Sequence, residues 1–133
     1  MAGREMKRDE VVTYCLTKPA SFEDYPFEPD LLVIKVGVRD HARIFAMFGL
    51  DRRLAADHVS LRCWPEELEA WRATYPQSIG TTPYMRTKAW NTVLLDGSVN
   101  PDDVREMVDI SYDSAIASLP KKHRPPGTSG ATA

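Results

Sequence analysis

Hydrophobic residues recur along the chain with spacings that predict three helices. A period near 3.6 residues predicts a first helix over about 7–17 and a short helix that opens at Pro65. The same period runs through a long last helix, for which Asn100 is a good N-cap and Pro101 suits the first helical position. Two aspartates follow in its first turn, where they balance the positive end of the helix dipole. Pro120 ends this helix.

Four apolar runs predict strands, over 31–36, 44–48, 58–63 and 90–95. The gap between the first two suits a hairpin with a loop. The third run alternates strictly, which predicts one buried and one solvent-exposed face. The expected buried residues are Val59, Leu61 and Cys63, and the expected exposed residues are His58, Ser60 and Arg62.

Two segments predict loops. Residues 21–30 hold two prolines, three aromatic residues and four acids, and predict an irregular loop whose rings are buried. Residues 77–83 are polar and contain a glycine, which predicts a second loop.

The order of elements predicts an α+β domain. A helix, three strands, a helix, a strand and a last helix follow one another without long crossovers. This order favours an antiparallel sheet with helices packed on one face, a two-layer sandwich. One domain is expected over 1–122, and the tail over 123–133 is expected to be disordered.

Composition excludes several classes of protein. The 133 residues are 43% hydrophobic and 27% charged, which excludes a disordered chain and a fibrous repeat. No apolar run approaches the roughly 20 residues of a membrane span, and no signal peptide is evident. Cys15 and Cys63 are too few and too far apart for a disulfide framework. We therefore expect a cytoplasmic protein without a membrane partner.

The chain lacks the motifs of common enzymes. It has no G-x-S-x-G nucleophile turn, no P-loop and no G-x-G-x-x-G run. His41, His58 and His123 are scattered and do not have the spacing of metal ligands. We expect a non-enzymatic protein with no catalytic residue, no metal and no cofactor.

Ordered sequence blocks from about Arg8 to Lys122 resemble the MmcQ/YjbR family. In the C-terminal half these blocks are Met85 to Val93, Leu95-Asp96-Gly97, Ser111-Tyr112 and Leu119-Pro120-Lys121-Lys122. In the N-terminal half they are Tyr14-Cys15-Leu16 followed by Pro19, Pro26-Phe27, Lys35-Val36, Leu61-Arg62-Cys63 and Pro65-Glu66. The blocks are several and in the correct order, so the resemblance is specific.

The resemblance implies a fold of the CyaY-like, frataxin-like kind and DNA binding through a double-wing arrangement. One namesake lies in a mitomycin biosynthesis cluster, which implies antibiotic resistance or the handling of small molecules. Members commonly carry a His-Met-Asn-Lys-Lys-His-Trp-Asn run, and here Tyr84 and Ala89 replace the two histidines. Imidazole chemistry at this run is therefore excluded for this chain.

Charge is uneven and leads to a first hypothesis, in which the protein binds DNA. Residues 31–64 hold six basic residues against three acids, within a chain of net charge −2. Phosphates would be held by Lys35, Arg62, Arg86 and Lys88, and a base or backbone would be contacted by Trp90 and Asn91. The acidic pI of about 5.9 argues against a strong non-specific footprint.

A second hypothesis is a binding protein for a planar small molecule. Tyr84, Met85 and Trp90 would line a cleft beside the sheet, because aromatic rings stack on flat ligands. A protein-interaction module is a third possibility, and a monomer is favoured throughout.

Overall fold

The computed structural model of the protein describes residues 6–85 and 89–126. These ranges contain three α-helices, α1 (Arg8–Leu16), α2 (Leu68–Thr74) and α3 (Pro101–Ser118). They also contain six strands, β1 (Ser21–Asp24), β2 (Leu32–Val36), β3 (Arg43–Phe48), β4 (His58–Arg62), β5 (Ile79–Gly80) and β6 (Trp90–Leu94). No helix in the described ranges combines the length and the apolar character needed to cross a membrane.

The strands form one antiparallel sheet in the order β1-β2-β3-β4-β6-β5. The predicted α+β class and the predicted hairpin of β2 and β3 are confirmed. The prediction of irregular loops was wrong at β1 and β5. Each of these short strands is extended because it pairs with the strand that follows it across a connecting segment, and strands of two to four residues are too short to show an alternating pattern.

The aromatic residues after β1 also differ from the prediction. Tyr25 is 49% exposed and Phe27 is 60% exposed, so their rings do not anchor the segment in the core. Phe22, which lies within β1, is half-buried and contacts the guanidinium of Arg39, which lies 5.8 Å from its ring centroid. The segment from 25 to 30 therefore projects two aromatic rings into solvent.

The main core lies between the sheet and the helices α1 and α3. Phe45, Phe48 and Val59 from the sheet meet Val108 and Ile116 from α3, and all five are fully buried or nearly so. The N-terminus of α3 is capped as predicted, since the side chain of its N-cap asparagine accepts a hydrogen bond from the backbone at 2.8 Å. Helices therefore cover one face of the sheet.

The opposite face, called here the open face, carries a smaller apolar cluster. Val33, Met47 and Trp90 form its buried part, and it is bordered by half-buried Ile44, Leu50, Met85 and Ala89. Because this face also holds apolar residues, strands β2 and β3 are apolar at consecutive positions instead of alternating with polar residues.

The predicted solvent-exposed face of β4 is buried at two of its three positions. His58 is 4% exposed because its ring is bonded within the preceding loop: Nε2 accepts from the N–H of Asp51 at 3.0 Å, and Nδ1 lies 2.9 Å from the carbonyl oxygen of Ala56. Ser60 is fully buried, and its hydroxyl lies 3.0 Å from that of Thr92 on β6. The prediction of exposure, which rested on polarity alone, was wrong for both residues because their polar atoms form hydrogen bonds inside the protein.

The chain after α3 packs back on the end of the helix. Arg124 donates from Nε to the carbonyl oxygen of Leu119 at 3.0 Å and from Nη2 to that of Ala117 at 3.2 Å. Pro125 is buried, and the imidazole of His123 stacks on another histidine ring. The rest of the predicted tail, residues 127–133, lies outside the described residues.

Candidate functional site

A cavity of about 410 Å³ opens on the open face of the sheet. Its lining combines side chains of the sheet with side chains of the segments before β2 and before β6. Eight of the lining residues are apolar or aromatic: Phe27, Leu31, Ile44, Met47, Leu50, Tyr84, Met85 and Trp90. We call this cavity the cleft, and its size lies within the range of small-molecule sites.

The floor of the cleft is rigidly held by the sheet. Trp90 is 5% exposed and belongs to the same buried cluster as Val33 and Met47. Trp90 pairs in register with Arg62, whose guanidinium carbon lies 5.9 Å from the centroid of the Trp90 ring. The sheet and the cation together fix the orientation of this ring.

The rim of the cleft carries exposed aromatic rings. Tyr84 is 81% exposed and Phe27 is 60% exposed. Tyr84 has a backbone φ of 68°, a left-handed conformation that is rare for a bulky residue and costs free energy. The fold therefore maintains a strained backbone at a residue whose ring is left in solvent at the mouth of the cleft.

The two charged residues at the cleft neutralise each other. Arg52 pairs through Nη2 with Glu28, and its guanidinium donates to both carboxylate oxygens of Asp30 at 3.2 Å. The hydrogen bond from Arg52 holds the pKa of Asp30 below its usual value. These ion pairs connect the segment before β2 to the loop after β3, and they leave no unbalanced charge among the described lining residues.

The predicted phosphate contact Lys35 lies on the open face but is already paired. Its Nζ is 2.8 Å from Oδ2 of Asp24 on the edge strand β1. The hydrogen bond from Lys35 lowers the pKa of Asp24, so the carboxylate is charged at neutral pH. A phosphate at this position would have to compete with that carboxylate.

The predicted contact Asn91 faces away from the cleft. It is 2% exposed, and its Oδ1 accepts a hydrogen bond from Nε of Arg72 on α2 at 2.7 Å. Its Nδ2 donates to the carbonyl oxygen of Leu68 at 3.4 Å. Trp90 and Asn91 are consecutive in a strand, so their side chains lie on opposite faces, and the sheet separates them.

Arg62 is half-buried at the end of β4. Its Nε donates to the hydroxyl of Ser114 on α3 at 3.3 Å. Burial and the charge of nearby Arg43 lower its pKa. The remaining predicted contacts, Arg86 and Lys88, lie outside the described residues.

The structure thus brings Tyr84, Met85 and Trp90 to one cavity, as the small-molecule hypothesis requires. Sequence reasoning missed the other apolar members of the lining. Ile44 and Met47 could have been found, because β3 is apolar at consecutive positions. Such a pattern predicts apolar side chains on both faces of the sheet. Nothing in the local pattern places Phe27 or Leu50 beside them.

Comparison with known proteins gives consistent results. The sequence model of the family described as YjbR matches residues 16–114. An Escherichia coli K12 protein named "Uncharacterized protein YjbR" is 30% identical over 120 residues, which cover 90% of this chain and 95% of that protein. A protein of the same name from Escherichia coli O157:H7 matches equally.

Two crystal structures are similar in fold. The Deinococcus radiodurans protein DR2400, with a DUF419 domain, has a TM-score of 0.80 at 29% identity, and the match covers 97% of both chains. A Pseudomonas syringae protein has a TM-score of 0.66 at 22% identity, with 83% of this chain and 99% of that chain covered. The second similarity concerns the fold alone.

Proposed function

The chain belongs to the YjbR family, and on the geometry of its open face we propose that it binds a planar, largely apolar small molecule in the cleft. One observation carries the proposal. A cavity of about 410 Å³ has apolar and aromatic walls, and its two charged lining residues, Glu28 and Arg52, are paired with each other. The E. coli relatives are uncharacterised, so the proposal rests on this chain's own residues.

The lining determines the class of ligand. The thioethers of Met47 and Met85 adapt to irregular shapes and make favourable contacts with aromatic rings. Tyr84 at the rim offers a ring face for stacking, and Trp90, which is 5% exposed, contributes the small open part of its ring at the floor. Because the described lining has no unbalanced charge, the ligand needs no charged group, and its affinity should depend little on salt.

The expected affinity is moderate. A ligand of about 20 non-hydrogen atoms at roughly −0.3 kcal/mol per atom binds with about −6 kcal/mol, a Kd on the order of tens of micromolar. Such a Kd lies within reach of fluorescence titration.

DNA binding, the first hypothesis from the sequence, stays a prediction, as does the absence of enzymatic activity. DNA binding has weaker geometric support than the cleft, because Lys35 is paired with Asp24 and Asn91 is buried behind the sheet. Micromolar binding to a labelled duplex that weakens steeply with salt would favour it.

The test uses the uncharged probe N-phenylnaphthylamine, whose fluorescence rises in apolar sites. We expect saturable binding to the wild-type protein, with an affinity several-fold weaker in Trp90→Phe because a smaller ring stacks less well. Trp71→Phe is the matched control, since Trp71 packs against the main core and does not line the cleft. A second pair compares Phe27→Ser at the rim with Tyr25→Ser, another exposed aromatic residue outside the lining.

Two outcomes contradict the proposal. The first is that the probe does not bind the wild-type protein at concentrations well above the expected Kd. The second is that Trp90→Phe and Phe27→Ser bind it as tightly as their matched controls, which would mean that the probe binds elsewhere.

A further inference from the structure

Positively charged and protonatable side chains gather at a second place, where β3 begins, β4 ends and the chain leaves α3. We call this cluster the basic corner and define it by His41, Arg43, Arg62, Lys122 and His123. The cluster includes Arg62 from the predicted set of phosphate contacts, but its other members come from outside that set.

The fold brings these residues together from distant parts of the sequence. Arg43 opens β3, directly after the turn that carries His41. The segment after α3 returns to this turn because Arg124 bonds the last carbonyl groups of the helix. The rings of His41 and His123 consequently stack, with centroids 3.7 Å apart and planes inclined by 11°.

The two arginines lie at the same end of the sheet, because Ser111 bonds the backbone of both Phe45, two residues after Arg43, and Arg62. Neither has a described carboxylate partner. Arg62 bonds the hydroxyl of Ser114 through Nε, and within residues 6–85 and 89–126 neither Arg62 nor Arg43 forms an ion pair. Burial lowers the pKa of Arg62 and of His123, and the positive charge of Arg43 adds to both shifts. Within the described residues no carboxylate forms an ion pair with these side chains, so the positive charges are not balanced locally.

An unbalanced pair of half-buried guanidinium groups favours an anion. Two like charges that are partly removed from water destabilise the fold unless an opposite charge joins them. Guanidinium groups match the oxygens of phosphate in geometry and form paired, charge-assisted hydrogen bonds with them. The hydroxyl of Ser114 accepts a hydrogen bond from Arg62 and can in turn donate its own proton.

We propose that the basic corner binds a phosphoryl group, held by the guanidinium groups of Arg43 and Arg62 and by the hydroxyl of Ser114. The phosphoryl group could belong to free phosphate or a phosphate monoester, or to the phosphodiester backbone of a nucleic acid. This site is distinct from the cleft, in which the charged lining residues are already paired, although Arg62 also contacts the ring of Trp90.

The first arm of the test titrates the protein with inorganic phosphate by calorimetry, in an uncharged or cationic buffer at ionic strength held constant with sodium chloride. We expect saturable binding that is about tenfold weaker in Arg43→Gln, because charge-assisted hydrogen bonds are lost. Arg105→Gln is the matched control, since Arg105 is an arginine paired with Asp102 at the far end of α3. Ser114→Ala, which removes one neutral donor, should weaken binding to a smaller degree.

Circular dichroism checks that each variant is folded. Should Arg43→Gln fail to fold, Arg62→Lys and Ser114→Ala take its place, and both are expected to weaken phosphate binding. Uptake of N-phenylnaphthylamine by Arg43→Gln and Ser114→Ala should be unchanged, which separates this site from the cleft. Arg62→Lys is not used in this comparison, because Arg62 also contacts the ring of Trp90.

The second arm distinguishes the sources of the phosphoryl group, by anisotropy of a labelled DNA duplex with and without phosphate. Binding of phosphate without binding of DNA supports a free phosphate or a monoester. Binding of both, with competition and with weakening in Arg43→Gln, supports a nucleic-acid backbone. The proposal is overturned if phosphate does not bind, or if Arg43→Gln binds phosphate as tightly as Arg105→Gln.

Discussion

Ser111 connects two strands to the last helix, and its removal gives the sharpest stability prediction. The side chain is fully buried on α3. Its hydroxyl donates to the carbonyl oxygen of Phe45 on β3 and accepts from the backbone N–H of Arg62 on β4 at 2.8 Å. The described pairing of β3 with β4 ends one residue earlier, at Leu61, so the serine replaces the sheet partners that these two backbone groups lack.

Ser111→Ala leaves the partly buried N–H of Arg62 and the buried C=O of Phe45 unpaired. Each such group costs about 1–3 kcal/mol, and the higher helix propensity of alanine returns about 0.5 kcal/mol. The expected net loss is about 1.5–5.5 kcal/mol in the free energy of unfolding. With an unfolding entropy of about 2.1 cal/mol/K per residue, this loss lowers Tm by about 5–20 °C.

Urea unfolding followed by circular dichroism measures the loss, and calorimetry measures Tm. The matched control is Ser114→Ala, one turn further along the same helix. Within residues 6–85 and 89–126, the one hydrogen bond recorded for that hydroxyl comes from the side chain of Arg62, which can turn toward water. The control should therefore lose less than about 1 kcal/mol. If Ser111→Ala is no less stable than Ser114→Ala, the backbone groups have other partners and our account of this junction is wrong.

Two further predictions concern titratable groups. Burial and the neighbouring positive charges, first among them His41, lower the pKa of His123, so the unfolded chain takes up the proton first as pH falls. The stability of the protein should therefore decrease as pH falls below about 6.5. Tm should depend less on pH in His123→Asn than in the wild type. Equal slopes of Tm against pH in the two proteins would contradict this. Burial raises the pKa of Cys15 to about 12 and of Cys63 to about 11, so a thiol reagent near pH 8 should label neither in the folded protein and both in denaturant. Fast labelling of the folded protein would contradict the buried placement.

Local signals explain why the long helix could be predicted from the sequence. Asn100 and Pro101 act within one turn, and the apolar period repeats along the whole helix, so the pattern needs no knowledge of distant residues. The edge strand β1 was missed for the opposite reason. Its residues are extended because they pair with β2, and the pairing is decided by tertiary structure.

The contrast between features set by local sequence and features set by tertiary structure also applies to the two candidate sites. Tyr84, Met85 and Trp90 are close in sequence and could be assigned together to a cleft. The basic corner could not be predicted, because His41 and His123 meet only after α3 has crossed the sheet and the chain has turned back. Counting charges in the sequence found the excess in 31–64 but could not show which cations lack a partner.

The lengths of the outer strands have a consequence for self-association. The sheet ends at β1, which has four residues and carries Glu23 and Asp24, and at β5, which has two residues. Short and charged outer strands offer few free backbone groups to a strand from another molecule, and such strands oppose the growth of continuous intermolecular sheets. The fold is therefore protected at its edges against fibril-like polymerisation.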